Sequence, residues 1–278
     1  MKKLSAVVLA TTVFSLSSLA KTNVEAAVHH PNLNSTLWYQ TSAEFRANSL
    51  QSYKMATLQL PALLKDTSQT ALLTQTSNYQ QLPAAVIVDI DETILDNSAT
   101  AASDVKRGFV GFDAVQWNDW VLAAKAPAVP GAVAFLNKAS ELGIKVLFIS
   151  NRECKASTSA ACPQKDATIH NLKAVGVKDV SSELVWLKGE QPDWTSEKES
   201  RRLKAQQQYR VIMLAGDDFG DFLPNVKKDI TPAQRFSLVD KYQDYWGSRW
   251  IMLANPTYGS WETILQAPKI QYLRDVKQ

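Results

Sequence analysis

Short apolar runs alternate with amphipathic segments through most of the chain, and the runs are rich in residues that favour strands. The first clear run, Val86–Val88, ends directly at Asp89. An amphipathic helix is predicted over Gln164–Val175, where Gly176 stops it. Further strands are predicted over Lys145–Ser150, Leu184–Leu187, Val211–Ala215 and Trp250–Ala254. Repeated alternation of strand and helix predicts an α/β fold with a doubly wound parallel sheet.

The residues before this sheet predict a helical extension, which we place at residues 27–82. Thr41 and Glu44 have the spacing of a capping box, in which each side chain binds the other residue's backbone N–H group. A polar segment, residues 66–82, then leads into the first strand. The helix that starts at this box would pack on the core through its apolar residues, Phe45, Tyr53, Met55 and Leu60.

Residues 83–278 are expected to form the core, with an insert at about 97–130. The insert is too aromatic for a plain linker, so we expect a small cap that covers the carboxyl ends of the strands. Its aromatic residues are Phe109, Phe112, Trp117 and Trp120.

The first twenty residues resemble a cleaved secretory signal peptide: a basic start, then the apolar stretch Leu4–Ala20, which ends in small residues. Cleavage is expected after Ala20 or as late as Ala26. The stretch is short and interrupted by hydroxyl residues, which disfavours a spanning helix. Because no cysteine follows it, we expect no lipid anchor. These features predict a bacterial protein that is periplasmic or secreted.

Composition excludes some classes of protein. The 278 residues are 45% hydrophobic and 21% charged, which is typical of globular proteins and allows one large α/β domain or two small ones. The net charge is only +3, and no dense basic block is present, so a nucleic acid polymer is not an expected partner. In an exported chain the cysteine pair Cys154 and Cys162 predicts a local disulfide.

Two aspartates at the end of the first strand carry the strongest chemical signal. Asp89 and Asp91 are two residues apart, so their side chains face one crevice unless the chain bends between them. Two carboxylates this close repel each other, and they stay ionised only beside a cation or with a shared proton. The pattern indicates a metal site with a nucleophile.

Other polar groups follow the later strands. Ser150 and Asn151 end the second strand, Gly216-Asp217-Asp218 follows the fourth, and Lys198 lies between them in sequence. Carboxyl ends of parallel strands meet at one edge of a sheet, where ligands bind in open α/β folds. In chain order the motifs Asp-x-Asp-x-Thr, Ser, Lys and Gly-Asp-x-x-x-Asp resemble those of the haloacid-dehalogenase-like (HAD) phosphatases.

Longer motifs over about residues 37–265 are similar to those of the class C acid phosphatases within that superfamily. They are Asp89-Ile-Asp-Glu-Thr-Ile-Leu-Asp-Asn97, Trp117-x-x-Trp-Val121, Ala126-x-x-Val-Pro-Gly131, Ile149-Ser-Asn-Arg152 and Asn255-Pro-x-Tyr-Gly-Ser-Trp261. Many relatives are lipoproteins, and only some carry the segment with the two cysteines. The resemblance implies a HAD-like Rossmannoid core.

The resemblance also implies roles for the strand-end residues. Asp89 would attack phosphorus to form an aspartyl-phosphate, and Asp91 would serve as general acid and then base. Ser150 would bind a phosphoryl oxygen. Lys198 would neutralise charge, with Lys188 as its rival for that role.

One Mg²⁺ ion is the implied cofactor. By resemblance, its ligands are Asp89, the backbone carbonyl of Asp91 and Asp217, with Asp221 in support. Asp218 remains an alternative ligand.

The implied substrates are small phosphomonoesters, including 5′-nucleotides. By resemblance, Phe109 or Phe112 with Trp117 and Tyr258 would stack on a base or aryl group, and Asn151 would contact the substrate. These aromatic residues could equally fill the core, as we expect of Trp120 and Trp261. Two other functions stay open, a phosphotransferase and a non-catalytic storage or binding protein. Assembly into homo-oligomers also stays open.

Overall fold

A computed structural model describes residues 25–158 and 160–276. Its centre is one five-stranded sheet in which all neighbouring strands are parallel, with the order β3-β2-β1-β4-β5. The strands are β1 (Ala84–Val88), β2 (Lys145–Glu153), β3 (Val185–Lys188), β4 (Arg210–Gly216) and β5 (Trp250–Met252). Each predicted strand is present, and its ends differ from the predicted ones by at most three residues.

Helices connect the strands and precede the sheet. Single 3₁₀ turns follow β4 at Phe219–Asp221 and lie near the C-terminus at Lys269–Tyr272. The α-helices are α1 (Leu33–Thr41), α2 (Ala43–Lys65), α3 (Ser98–Arg107), α4 (Ala114–Ala123), α5 (Ala132–Glu141), α6 (Pro163–Ala174), α7 (Glu199–Ala205), α8 (Pro232–Lys241) and α9 (Ser260–Thr263).

Both faces of the sheet are covered, as the apolar runs predict. All five residues of β1 are buried. Because side chains alternate along a strand, Val86 and Val88 enter one apolar cluster, which also receives α2 and α5, while Ala85 and Ile87 enter a second cluster on the other face. Strands buried on both faces are typical of parallel sheets. The doubly wound α/β prediction is confirmed.

The long helix α2 belongs to the predicted N-terminal extension. Its N-cap is Ser42, whose hydroxyl accepts a hydrogen bond from the Phe45 N–H, so the predicted capping box at Thr41 is wrong by one residue. Thr41 instead ends α1. Phe45 and Leu60 are buried as expected, whereas Met55 is 38% exposed.

The insert consists of α3 and α4, and its ends lie side by side. Leu95 and Ala128 form an isolated antiparallel bridge, and the Val129 N–H donates to the Ile94 carbonyl. Asp113 caps α4 by accepting hydrogen bonds from two backbone N–H groups of its first turn. The insert is therefore a closed unit attached to the chain just after Asp91.

A disulfide joins Cys154 and Cys162, between β2 and α6. The predicted signal peptide, residues 1–20, lies outside the described residues. Within residues 25–158 and 160–276, every helix is too short or too polar to cross a bilayer.

Candidate active site

The strand order brings the predicted chemistry together. β1 lies between β2 and β4, with Val88 opposite Phe148 on one side and Ala215 on the other. Asp89 follows β1 directly, and its N–H donates to the Ala215 carbonyl at 2.9 Å. The carboxyl ends of β1, β2 and β4 thus meet at one edge, where Asp89, Ser150 and Asp217 stand.

Three carboxylates form the first part of the site, which we call the acidic trio: Asp89, Asp217 and Asp221. Oxygen atoms of all three lie within 4.8 Å of one another. The buried Lys198 ammonium lies 2.6 Å from an oxygen of Asp89 and 2.6 Å from one of Asp221. One cation is therefore shared between two members of the trio.

Burial and repulsion act strongly on the trio. Burial is the main cause that raises the pKa of Asp89 to about 7, with contributions from Asp221 and Asp91, against the opposing effect of Lys198. Burial, followed by the charges of Asp89 and Asp221, raises the pKa of Asp217 well above its usual value. Burial lowers the pKa of Lys198, but Asp221 and Asp89 outweigh it, and the result is a raised pKa.

This donor set fits a hard divalent cation. Three carboxylates share one ammonium, so further positive charge would offset the burial and the repulsion that raise the pKa of Asp89 and Asp217. Carboxylate oxygens are also the ligands that Mg²⁺ prefers. The structure brings Asp89, Asp217 and Asp221 together, but it places the Asp91 side chain in a different set of contacts.

Asp217 and its neighbour Asp218 point to different partners. Asp217 accepts hydrogen bonds from the Thr93 hydroxyl and the Asn255 amide, both at 2.9 Å. Asp218 accepts from backbone N–H groups of Gly220 and Ser260 and from the Ser260 hydroxyl. Asp218 therefore caps the turn after β4, whereas Asp217 belongs to the acidic trio.

Asp91 forms the second part of the site, with donors on every side. Arg152 donates to Asp91 Oδ1 from Nη2 at 2.8 Å and from Nε at 3.0 Å. Asn97 donates to the same oxygen at 2.9 Å, and the Ser150 hydroxyl donates to Oδ2 at 3.2 Å. We call this arrangement the Asp91 pocket.

The residues near the end of β2 have partners within the protein. Ser150 is fully buried, and its oxygen also accepts a hydrogen bond from the Arg152 N–H at 3.0 Å. Asn151 donates to the Ser196 carbonyl and accepts from the buried Arg201, which also donates to the Ser150 carbonyl at 2.6 Å. Arg201 therefore fixes the backbone that carries Ser150.

Of the two lysines considered for the site, the structure brings only one to Asp89. Lys198 is buried beside the trio, while Lys188 is 36% exposed and lies 3.5 Å from Glu153. A cation at Lys188 cannot compensate the strand-end carboxylates in this arrangement.

The residues of the predicted aromatic clamp have different partners. Tyr258 is 43% exposed, and its hydroxyl bonds the buried Glu92 next to Asp91. Phe109 lies over the Arg107 guanidinium, and its carbonyl accepts from His30. The rings of Phe112 and Trp117 lie 6.5 Å apart. Tyr258 is thus the member with a direct contact to the strand-end segment.

Trp120 and Trp261, the two aromatic residues that we expect to be structural, have different partners. Trp120 donates from Nε1 to the Asn97 side chain at 2.7 Å, which ties α4 to the Asp91 pocket. Trp261 is 43% exposed and donates to the Tyr258 carbonyl.

Residues to which the sequence analysis assigns no role in the site complete it. The Tyr53 hydroxyl on α2 donates to the Thr93 carbonyl, so the N-terminal extension supports the acidic trio. Glu92 accepts from the Asn97 N–H at 2.8 Å. Signals for these residues existed only in the quoted motifs, which include Glu92, Asn97, Arg152 and Asn255.

Two solved structures are similar to this chain over most of its length. The class C acid phosphatase from Bacillus anthracis superposes with a TM-score of 0.70 at 32% identity, covering 86% of this chain and 89% of that one. The same enzyme with tungstate bound gives a TM-score of 0.70 at 30% identity, covering 90% and 94%.

Curated relatives match a shorter stretch. Acid phosphatase 1 of Solanum lycopersicum is 27% identical over 141 residues, which is 49% of this chain and 51% of that protein. The stem 28 kDa glycoprotein of Glycine max is 27% identical over 138 residues, 49% of this chain and 52% of that protein. The chain spans about half the length of the curated relatives it matches.

Residues 8–261 match the family described as HAD superfamily, subfamily IIIB (Acid phosphatase). The predicted family is therefore confirmed, and with the structural neighbours it supports a phosphomonoester hydrolase. This chain belongs to the acid phosphatases of HAD subfamily IIIB.

Proposed function

We propose that the protein hydrolyses phosphomonoesters through an aspartyl-phosphate at Asp89. The observation that carries the proposal is the division of the strand-end carboxylates. Asp89 lies in the acidic trio beside Lys198, and Asp91 lies two residues away among separate donors. A nucleophile and a proton carrier are thus held side by side in different electrostatic settings, as phosphate ester cleavage requires.

In the first half-reaction, an oxygen of Asp89 forms a bond to phosphorus while the bond between phosphorus and the leaving oxygen breaks. The electron pair goes to the leaving oxygen, which takes a proton from Asp91. Lys198 offsets the negative charge around the transferred group. The Ser150 hydroxyl turns from Asp91 to a phosphoryl oxygen in this step.

In the second half-reaction, water attacks phosphorus and gives a proton to the Asp91 carboxylate. The bond between phosphorus and Asp89 breaks, which releases phosphate and restores both side chains. A dehalogenase has no alcohol to protonate, so a carboxylate at Asp91 favours ester hydrolysis over that chemistry.

One Mg²⁺ ion would be held by Asp89 and Asp217 together with the backbone carbonyl of Asp91, and Asp221 would support that set. When bound, such an ion neutralises charge on the phosphoryl oxygens and on the carboxylates. Burial, followed by the neighbouring carboxylates, raises the pKa of Asp89 and Asp217, and a bound cation would offset both effects, which supports this assignment.

We infer that 5′-nucleotides are among the substrates. Tyr258 supports this proposal, since its exposed ring stands beside the strand-end segment and could stack on a base. Phe109, Trp117 and Asn151 complete the proposed substrate contacts. The signal-like residues 1–20 support export to the periplasm or the medium.

The test is phosphate release from 5′- and 3′-nucleotides, aryl phosphates and glycerol phosphate, with Mg²⁺ or with EDTA. We expect release that depends on the metal and is fastest for nucleotides and aryl esters. Release from no substrate would contradict the hydrolase. A new phosphoester formed in the presence of an acceptor nucleoside would instead indicate a phosphotransferase.

A further inference from the structure

Arg152 is almost fully buried, with 1% of its side chain exposed, and it does not contact the acidic trio. Its guanidinium instead faces Asp91, which it meets with Nη2 and Nε. Nη2 and Nε both bind Oδ1, and Nε also lies 3.3 Å from Oδ2, so the planar guanidinium restricts the position and rotation of the carboxylate more than a single point charge would.

The two oxygens of Asp91 have different environments. Oδ1 accepts three hydrogen bonds, two from Arg152 and one from Asn97, all between 2.8 and 3.0 Å. Oδ2 has only longer contacts, to the Ser150 hydroxyl at 3.2 Å and to Arg152 Nε at 3.3 Å. Oδ1 is thus fixed by three short contacts, and Oδ2 is the oxygen that is freer to face a substrate.

Helix α6 contacts the part of the Arg152 guanidinium that does not bind Asp91. Its Nη1 donates to the Thr168 hydroxyl at 3.0 Å, and Thr168 is fully buried. Gln164, one turn earlier, binds the Lys155 N–H at 3.0 Å and the side chain of Asn118 on α4 at 2.8 Å. A buried polar residue is costly unless it is bonded, so these contacts fix the helix to both neighbours.

Asn171 continues this buried row of polar side chains by bonding both backbone groups of Ala126, at the far end of the insert. Helix α6 therefore contacts the insert at Asn118 and Ala126, and it also contacts Arg152, whose guanidinium binds Asp91.

We propose that Arg152, supported by Thr168, is a positioning residue that anchors Asp91 through Oδ1 and directs Oδ2 at the leaving oxygen. The inference rests on the proposed function, because it assigns a task within that reaction. Arg152 acts through Asp91 and not by binding the phosphoryl group.

The proposal predicts that the activity lost when Arg152 is replaced depends on the leaving group of the substrate. A para-nitrophenolate ion departs without a proton, whereas the alkoxide of glycerol phosphate needs one. If Arg152 positions the proton donor, its loss must harm the second substrate far more. If it bound the phosphoryl group, both substrates would lose equally, since the phosphoryl group is common to them.

The experiment measures kcat/KM for both esters with wild type, Arg152→Met, Arg152→Lys and Thr168→Val. We expect Arg152→Met to lose about 10²-fold on glycerol phosphate and less than about 10-fold on para-nitrophenyl phosphate. Thr168→Val removes one hydroxyl without changing the shape, and should show the same bias at roughly 5-fold. Arg152→Lys keeps the charge without the planar guanidinium and should fall between them.

Two further variants separate positioning from folding. Asn171→Ser removes a polar contact from the same helix without approaching Asp91, and its ratio between the two esters should remain that of wild type. In the Asp91→Asn background, adding Arg152→Met should cause no further biased loss, because the two residues act as a unit.

Equal losses on both esters, or an additive double variant, would overturn the inference while leaving the hydrolase intact. A wild type that hydrolyses neither ester contradicts the proposed function and the inference with it. If Arg152→Met does not fold, Thr168→Val and Arg152→Lys still decide the question through the ratio between the esters.

Discussion

Asp89 of the acidic trio and Asp91 of the Asp91 pocket are two residues apart along the chain, yet the balance of charge around them differs. In the trio, three carboxylates share the single ammonium of Lys198. In the pocket, one carboxylate has a buried guanidinium and two further donors. In the trio the carboxylates outnumber the ammonium group that pairs with them, whereas Asp91 has one guanidinium as its own ion-pair partner.

The difference shows that one carboxylate site is suited to binding a cation, while the other is suited to holding a carboxylate in one orientation. A site that lacks positive charge can gain it from a bound cation or from a reaction that spreads its negative charge. A carboxylate that is saturated with donors gains little from a cation and is held in one orientation instead. We infer that the lack of positive charge around Asp89 favours its reaction with a phosphoryl group. The hydrogen-bond donors around Asp91 instead fix the orientation of its carboxylate.

Apart from loss of Asp89 itself, the largest expected effect comes from removing the shared cation of the trio. Lys198→Met should lower kcat/KM by about 10²- to 10³-fold, because the charge that offsets the transferred group is lost. It should also cost on the order of 3 kcal/mol in stability, since Asp89 and Asp221 lose a buried partner. Enzyme kinetics and urea unfolding measure the two effects.

Lys188→Met is the matched control for that variant, because Lys188 lies in the exposed pair with Glu153. It should leave both measurements within error of wild type. A comparable loss of activity in the two variants would contradict the separation of the two lysines.

The second prediction concerns pH and uses the metal-free protein. Burial raises the pKa of Asp89 from 3.8 to about 7 in the folded state. Below both values the folded and unfolded chains both hold the proton, whereas between them only the folded chain holds it, so stability falls as pH rises. Relative to Asp89→Asn, wild type should therefore lose stability between about pH 4 and pH 7.

Thermal unfolding at several pH values measures this difference, and the comparison cancels groups common to both proteins. Added Mg²⁺ should raise the Tm of wild type more near neutral pH than in acid, since it binds the ionised trio. A difference between the two proteins that does not change with pH would contradict the charge shortage assigned to the trio.

Tyr258 borders both regions, and we expect its substitution to have smaller effects on stability and activity. Tyr258→Phe removes only the hydrogen bond to Glu92 and should cost about 1 kcal/mol in unfolding experiments. Tyr258→Ala also removes the ring and should lower kcat/KM for a 5′-nucleotide by about 10-fold, with glycerol phosphate unaffected. Equal loss on both substrates after Tyr258→Ala would argue against base stacking.

The smallest effect on catalysis is expected from the disulfide. Replacing Cys154 and Cys162 together with serine should reduce stability by about 2 kcal/mol through the loss of a short cross-link. The ratio of activities on the two esters should not change, because Arg152 is held by Thr168 and not by the disulfide. Thiol titration of the native protein should find no free thiol.

Much of the fold follows from local pattern. The strands are visible because each is an apolar run, and a short run such as Val86–Val88 is typical of a strand buried on both faces. Helix boundaries follow less well, because Thr41 and Ser42 are both good caps and only the end of α1 decides between them. The insert was marked by its aromatic residues, but its closure depends on the distant pair Leu95 and Ala128.

Some residues of the candidate site can also be predicted from the sequence, and others cannot. Asp89, Asp91 and Asp217 stand at strand ends, which a sequence reveals directly, and Lys198 was selected from two lysines by a family pattern. The partner of Arg152 could not be predicted, because a buried arginine has the same sequence signal as an exposed one. Its contact with Asp91 joins residues 61 positions apart, which only the fold brings together.

The most direct test of the account is phosphate release from para-nitrophenyl phosphate and a 5′-nucleotide in Mg²⁺, with wild type beside Asp89→Asn. We predict turnover by wild type and a loss of at least about 10³-fold in the variant, with an unchanged circular dichroism spectrum. Wild-type rates in a correctly folded Asp89→Asn protein would contradict the assignment of Asp89 as the nucleophile.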